Sequence, residues 1–229
     1  MTPKLSFETD DGPRSTAIER LIVAGWTARD RAAVDHHIAE LAELGVAPPS
    51  TVPLYYQLSA GLLTQAERVQ VLGPDGSGEV EPVVIDDGDT LWLGLGSDHT
   101  DRKLEAVSVA FSKQACPKPV GRRLWRFEAV ADRLDDLELA SFIRDAEDQG
   151  WQPYQRGTLA SLRPVRALIA DAPGAREGRL GAGTLMMCGT LGAIGGVRPA
   201  AQMRMELRDP ATGAVLSHEY ATEVLPVVA

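Results

Sequence analysis

Cysteine, basic charge and long apolar runs are all scarce in this sequence of 229 residues. The two cysteines, Cys116 and Cys188, can form at most one disulfide and have no zinc-binding spacing, so we expect two reduced, buried thiols. The formal net charge of −9 disfavours nucleic acid and anionic membranes as partners, because both bind clustered Lys and Arg. No window approaches the roughly 18 apolar residues of a membrane helix, and the first residues lack the apolar core of a secretion signal. We therefore expect a cytoplasmic protein with neither a membrane nor a nucleic-acid partner.

The pattern of short apolar segments predicts the fold class. Segments that alternate in polarity or are rich in β-branched residues are bounded by Gly, Pro and Asp, which is typical of strands and turns. These strands outnumber the helical segments and do not alternate with them, so the predicted class is α+β. A chain of this length can bury one sizeable core, and we predict a single domain over residues 1–229.

Within that domain, residues 1–50 are predicted to form an N-terminal hairpin and a lid-like helix, and residues 51–229 the β-rich core. The hairpin joins the strands Leu5–Glu8 and Ile18–Val23 through a turn at Asp10–Pro13. The helix covers Arg31–Leu44, where apolar residues recur at spacings of three and four. Further on, we predict a short helix over Leu104–Phe111.

An acidic segment stands out in the middle of the chain. The stretch Gly78–Ile85 is rich in valine and predicts a strand, on which the side chains of Glu79 and Glu81 leave on the same face. A turn at Asp86–Asp89 leads into a partner strand, and Asp98 follows directly after it. Three carboxylates at adjacent strand ends repel one another unless a cation neutralises them, and their oxygens suit Mg²⁺, Mn²⁺ or Ca²⁺.

The alternative is that Glu79 and Glu81 line the solvent face of an ordinary strand, because Glu-x-Glu is a common pattern. Pro82 follows directly and lacks the N–H that a central strand needs, so it predicts an edge strand or a bulge.

Five short motifs resemble the fumarylacetoacetate hydrolase family and occur in that family's order. They are Glu79-Val80-Glu81, Asp98-x-x-x-Arg102, Ser112-Lys113, Gln155-x-x-Thr158 and Gly189-Thr190. The matches span roughly residues 24–206, and the sequence most resembles a bacterial branch without an assigned activity. The resemblance implies a mixed β-roll with a few short helices and a metal-dependent enzyme that acts on a small oxo acid. It also implies a homodimer, to which we expect Tyr55, Tyr56 and Trp92 to offer apolar surface.

The resemblance also implies a role for individual residues. Glu79, Glu81 and Asp98 match the ligands of Mg²⁺ or Mn²⁺, with Ca²⁺ as a further option. His37 and Glu40 match a His-x-x-Glu dyad in which the carboxylate orients the imidazole, although His36 could take the place of His37. Lys113 matches a lysine that attracts negative charge developing on the substrate. The implied substrate contacts are Tyr56, Arg102, Glu105, Gly189 and Thr190, with Glu105 standing where relatives often carry Gln.

These roles favour a divalent-metal-dependent hydrolase that cleaves a carbon–carbon bond in a 1,3-dicarbonyl 2-oxo acid such as an acylpyruvate. The same parts suit a decarboxylase, an isomerase or a hydratase, since each reaction can use a metal-bound 2-oxo acid. A binding module that retains the metal without turnover is the third interpretation.

Overall fold

The structure is a computed structural model that describes residues 2–43 and 46–228. Within the first long helix it does not describe the side chains of Ala33, His37, Glu40, Leu41 and Glu43.

Strands dominate the described part of the chain. They are β1 (Lys4–Thr9), β2 (Gly12–Ala17), β3 (Arg20–Gly25), β4 (Leu54–Leu58), β5 (Leu63–Thr64), β6 (Arg68–Leu72), β7 (Gly76–Ser77), β8 (Val80–Asp86), β9 (Leu91–Ser97), β10 (Thr100–Asp101), β11 (Lys118–Pro119), β12 (Trp125–Arg126), β13 (Glu138–Arg144), β14 (Gln152–Thr158), β15 (Thr184–Met187), β16 (Gln202–Arg208) and β17 (Val215–Leu225). The α-helices are α1 (Arg31–Glu43), α2 (Arg102–Glu105), α3 (Val109–Gln114), α4 (Phe127–Val130) and α5 (Val165–Asp171). Short 3₁₀ turns cover Ala60–Leu62, Ala131–Asp136 and Leu159–Ser161.

Two larger sheets form the body of the protein. One has six strands in the order β12-β9-β8-β15-β3-β4, and the other has five in the order β14-β13-β16-β17-β6. Side chains from both, such as Val84 of β8 and Leu139 of β13, share one apolar cluster. A second cluster covers the opposite face of the six-stranded sheet, where Phe7 of the β1–β2 hairpin packs with Val83 and Ile85. Burial of each such side chain stabilises the fold by about 1.5–3 kcal/mol.

The strand β8 is therefore buried on both faces, and its pairing with β9 fixes the acidic segment. The antiparallel register runs from Val80 opposite Ser97 to Asp86 opposite Leu91. One step further along, the Asp98 amide donates to the Glu79 carbonyl at 3.0 Å. The predicted hairpin with its turn at Asp86–Asp89 is confirmed, and it places Glu79 beside Asp98.

Pro82 lies in a central strand, so the prediction of an edge strand was wrong. Its carbonyl accepts from the Cys188 amide at 3.0 Å, on the side of β8 that faces β15. The pairing of β15 with β8 ends one residue earlier, at Met187 opposite Val83. Because the N–H and C=O of one strand residue leave on the same side, the donor that Pro82 lacks would face Cys188, the first residue after β15, and not β9.

Three further sequence predictions need correction. The hairpin partner of β1 is the polar strand β2, whereas the apolar segment after it forms β3 in the six-stranded sheet. The helix predicted over Leu104–Phe111 is two short helices, α2 and α3. Trp92 is 1% exposed, so it does not offer the free apolar surface expected for a dimer, whereas Tyr55 and Tyr56 are half-buried. The homodimer itself stays a prediction.

The α+β class predicted from the sequence is confirmed. The helix α1 also agrees with the prediction, except that the predicted last residue, Leu44, lies outside the described residues. Across residues 2–43 and 46–228, no helix has both the length and the apolar character needed to cross a bilayer.

The Asp86 carboxylate closes the β8–β9 turn onto the segment before β15. It is 1% exposed and accepts from the Gly88 and Gly181 amides, each at 3.0 Å, and from the Arg179 guanidinium. We expect Asp86→Ala to lower the free energy of unfolding by about 2–3 kcal/mol, because it leaves buried donors without an acceptor. Asp89→Ala, in the same turn but with an exposed side chain, is the matched control and should change stability by less than about 0.5 kcal/mol. Urea unfolding measures both, and equal losses in the two variants would contradict this account.

Candidate metal centre and active-site pocket

Three carboxylates meet where β8 begins and β9 ends. Glu79 directly precedes β8, Glu81 is its second residue, and Asp98 directly follows β9. Each offers one oxygen, and these three oxygens lie within 4.8 Å of one another. Glu81 is 2% exposed and Asp98 0%. The interpretation that Glu81 lines a solvent face is therefore wrong.

Two lysines surround Asp98. The Lys113 ammonium, carried by α3, donates to Asp98 Oδ2, and Lys118 Nζ lies 3.2 Å from Asp98 Oδ1. Burial alone would raise the pKa of the Asp98 carboxyl, but the two ammonium groups outweigh burial and hold that pKa at about 2. Burial lowers the pKa of Lys113, yet the charge of Asp98 outweighs it and raises the pKa above its ordinary value. The two lysines thus favour the ionised form of Asp98.

Glu81 has a different environment. Its Oε2 accepts from the Gly189 amide at 2.7 Å, and within the described residues no Lys or Arg forms an ion pair with it. Burial, followed by the charge of Asp98, raises the pKa of Glu81 well above its ordinary value. The charge of Lys113 lowers this pKa only in part, and among the described residues Glu81 is the one of the three carboxylates that forms no ion pair with a Lys or Arg.

Gly189 is required by the geometry at this point. Its φ is +96°, and a Cβ atom built on it would lie 1.6 Å from the Thr27 Oγ1 atom. No larger residue fits without moving the backbone, so Gly189 lets its amide reach Glu81.

Thr190 and Gln155 connect this segment to β8. The Thr190 hydroxyl donates to the Val80 carbonyl at 2.7 Å and accepts from Gln155 Nε2 at 2.7 Å. Gln155 Oε1 accepts from the Val80 amide at 2.9 Å, so one buried side chain ties the Thr190 segment to the start of β8. The amide of Gly189 and the hydroxyl of Thr190, which we expected to contact substrate, both hold protein atoms here.

Arg102 contacts the carboxylates of Glu79 and Glu105. It donates from Nε to the Ser77 hydroxyl at 2.7 Å and from Nη1 to Glu105 at 3.1 Å, and its Nη2 lies 3.1 Å from Glu79. Burial lowers the pKa of Arg102, but the charges of Glu79 and Glu105 outweigh it and raise the pKa. Arg102 therefore neutralises two carboxylates, and it is Glu105 whose side chain reaches the pocket.

A cavity of about 530 Å³ opens beside the acidic cluster. Glu79, Glu81 and Lys113 lie at its polar end, and Tyr56, Thr190 and Gly189 also line it. Lys113 Nζ lies 5.8 Å from the centre of the Tyr56 ring, whose hydroxyl accepts from the Trp26 indole at 3.1 Å. The structure therefore brings together most of the site residues predicted from the sequence.

The predicted dyad is described only in part. His37 and Glu40 belong to the backbone of α1, but their side chains lie outside the description. His36 is exposed on the same helix, and the Val34 side chain of α1 lines the cavity. The helix therefore borders the pocket, as a lid would, while the choice between His36 and His37 stays a prediction.

The donor set fits a hard divalent cation. Three carboxylate oxygens within reach of one ion suit Mg²⁺ or Mn²⁺ with open positions for other oxygen ligands. Glu81 is buried without an ion pair to a described Lys or Arg, and one oxygen of each of the three carboxylates lies within 4.8 Å of the other two. Both observations are expected of groups arranged to bind a cation.

Sequence reasoning missed two parts of this site. Lys118 is fully buried, and its ammonium also donates to the carbonyls of His99 and Lys113. In the sequence it lies in the segment Cys-Pro-Lys-Pro, which matches no functional motif. Trp26 lines the cavity with a φ of 61°, a conformation that is rare and strained for a bulky residue. The positions of Lys118 and Trp26 depend on distant segments of the chain that pack around them, so no local sequence pattern indicates either.

Comparison with solved structures supports the fold. A candidate fumarylpyruvate hydrolase from Burkholderia cenocepacia is similar with a TM-score of 0.65 and 20% identity, covering 99% of this chain and 97% of its own. A 2-keto-3-deoxy-D-arabinonate dehydratase in complex with magnesium and 2,5-dioxopentanoate is similar with a TM-score of 0.60 and 14% identity, covering 95% of this chain and 78% of its own. At such identities the likeness establishes the fold, and the predicted β-roll of the fumarylacetoacetate hydrolase type is confirmed.

A search of curated proteins found no match. The sequence does match, over residues 24–220, the family described as "Protein of unknown function (DUF2848)". This match covers most of the chain and includes every residue of the acidic cluster and the cavity described above, and the protein therefore belongs to the DUF2848 family.

Proposed function

We propose that this protein is a divalent-metal-dependent hydrolase that cleaves a carbon–carbon bond in a 2-oxo acid with a 1,3-dicarbonyl group, such as an acylpyruvate. The observation that carries the proposal is the cluster of Glu79, Glu81 and Asp98 at the end of a cavity that also contains Lys113. The magnesium and the small oxo compound of the similar dehydratase support a small oxo acid as the substrate.

Each residue of the cluster has a defined task in this proposal. A bound Mg²⁺ or Mn²⁺ would act as a Lewis acid towards the carboxylate and 2-oxo oxygens of the substrate. Glu79, Glu81 and Asp98 would hold that ion. Lys113, kept cationic by Asp98, would stabilise negative charge that develops on substrate oxygen as the bond breaks.

The hydrolytic step needs a base, and we assign that role to His37 with Glu40 as its supporting carboxylate. His37 would accept a proton from water while the water oxygen bonds to the carbonyl carbon distant from the carboxylate. The bond from that carbon to the methylene carbon then breaks, and the methylene carbon takes up the proton. The products are a carboxylic acid and pyruvate or a related 2-oxo acid, so atoms balance without a further reactant.

A dehydratase is the second candidate, because the dehydratase of similar fold holds magnesium with an oxo ligand. Elimination of water needs proton transfer but no attacking water. A screen of acylpyruvates and 2-oxo sugar acids, with Mg²⁺ and with EDTA, separates the candidates by the product formed.

The first prediction of this proposal concerns metal binding. Millimolar Mn²⁺ should raise the melting temperature of the wild type, because a ligand that binds only the native state stabilises it. Glu81→Gln keeps the shape of the side chain but removes its charge, and it should abolish most of that rise. Glu147→Gln removes an exposed carboxylate elsewhere and is the matched control. A full rise in Glu81→Gln, measured by differential scanning fluorimetry, would place the metal at another site.

The second prediction concerns the base. His37→Ala should lower kcat on a hydrolysed acid by roughly 10²- to 10⁴-fold, the usual contribution of general-base catalysis, while leaving Mn²⁺ affinity close to that of the wild type. Glu40→Gln should also lower kcat and should shift the acidic limb of the pH profile downward, since the imidazole loses the carboxylate that raises its pKa.

His36→Ala is the matched control for this experiment, since it alters the adjacent histidine of the same helix. Equal losses in His36→Ala and His37→Ala would indicate general damage to α1. Full activity in His37→Ala would argue against hydrolysis and favour the dehydratase.

A further inference from the structure

The charged groups of the cavity are concentrated around the metal centre. Among the described residues, those that line the cavity with a carboxyl or an ammonium group are Glu79, Glu81, Glu105 and Lys113. Contacts join them into one group, because Arg102 links Glu105 to Glu79 and Asp98 links Lys113 to the other carboxylates.

The positive charges of this group are already engaged. Arg102 donates to the Ser77 hydroxyl and to the Glu105 carboxylate, and its Nη2 lies 3.1 Å from the Glu79 carboxylate. Lys113 is paired with Asp98. Arg198 follows the lining residue Val197, and its guanidinium stacks 5.1 Å from the Tyr154 ring centre and donates to the carbonyls of Ile194 and Gly196. Among the described residues that line the cavity, Lys113 is the one Lys or Arg, and the proposed reaction already assigns it to the reacting oxygen, so no second cation is present in that lining for another carboxylate of a substrate.

Most of the remaining lining is apolar or aromatic, and Thr27, Gln155 and Thr190 add polar groups. The apolar and aromatic residues include Trp26, Val34, Tyr56, Val109, Tyr154, Leu191, Ala193 and Val197. A volume of about 530 Å³ exceeds what the three carbons of pyruvate fill, so a tail on the substrate has room between these walls. An anionic tail would lose its hydration there without gaining a partner, whereas an apolar tail would gain free energy from burial.

We infer that the substrate of the proposed reaction is a monocarboxylic 2-oxo acid with an uncharged, apolar tail. The inference rests on the proposed function. It gives Trp26, Tyr56 and Val109 the task of selecting the tail, and it excludes dicarboxylic oxo acids as preferred substrates.

The experiment compares three acids that share the 2-oxo acid group. Isothermal titration calorimetry on the Mn²⁺-saturated wild type at neutral pH gives dissociation constants for pyruvate, phenylpyruvate and 2-oxoglutarate. We expect phenylpyruvate to bind about tenfold or more tightly than pyruvate, because its ring is buried, and 2-oxoglutarate to bind no more tightly than pyruvate.

Val109→Arg adds a cation to the apolar wall, one helical turn before Lys113, and should weaken phenylpyruvate and strengthen 2-oxoglutarate. Val107→Arg makes the same change at a side chain that is 77% exposed and outside the cavity lining, and it should leave both constants unchanged. Binding of 2-oxoglutarate by the wild type as tightly as phenylpyruvate would overturn the inference and leave the proposed function standing. Failure of all three acids to bind the Mn²⁺-loaded protein would overturn the proposed function as well.

Discussion

Buried negative charge at the end of one strand pair is the constraint on which the site depends. The register of β8 and β9 brings Glu79 next to Asp98 through a backbone hydrogen bond of 3.0 Å, and Glu81 follows on the same strand. Two of these three carboxylates are almost fully buried, and burial of an unpaired carboxylate is costly. The groups that surround the three carboxylates therefore offset the free-energy cost of burying them.

Those groups are distributed unevenly. Among the described residues, Asp98 pairs with two ammonium groups and Glu79 with a guanidinium, whereas Glu81 accepts from the amide of Gly189 and has no ion pair with a Lys or Arg. The lysines anchor Asp98 as an anion and also tie α3 and β11 to the strand ends, so removing one of them would alter structure and charge together. Glu81 is the position at which a bound cation would most improve the electrostatic balance, which is why its substitution gives the clearest test of metal binding.

Much of the fold and part of the site could be predicted from the sequence because their determinants are local. The valine-rich strand, the turn at Asp86–Asp89 and the position of Asp98 follow from short-range patterns. The role of β2 could not be predicted, because its polar sequence forms a strand only through pairing with β1. Pro82 misled because its tolerance depends on where the pairing of β15 ends, and β15 is about a hundred residues away in the sequence.

The difference between local and long-range determinants also separates the acidic part of the cavity from its apolar part. The carboxylates and Lys113 sit in short motifs, so the resemblance to the fumarylacetoacetate hydrolase family could find them. The apolar part is formed by Trp26, Tyr56, Val109 and the segment around Leu191, which come together only in the folded chain. There the Trp26 indole donates a hydrogen bond to the Tyr56 hydroxyl, and the backbone of Trp26 has a strained, positive φ. Such backbone strain persists where the surrounding contacts determine the shape of a site. The residues of the acidic cluster are therefore encoded in local motifs, whereas the shape of the apolar part of the cavity arises from packing, and a relative that shares the motifs can differ in that shape.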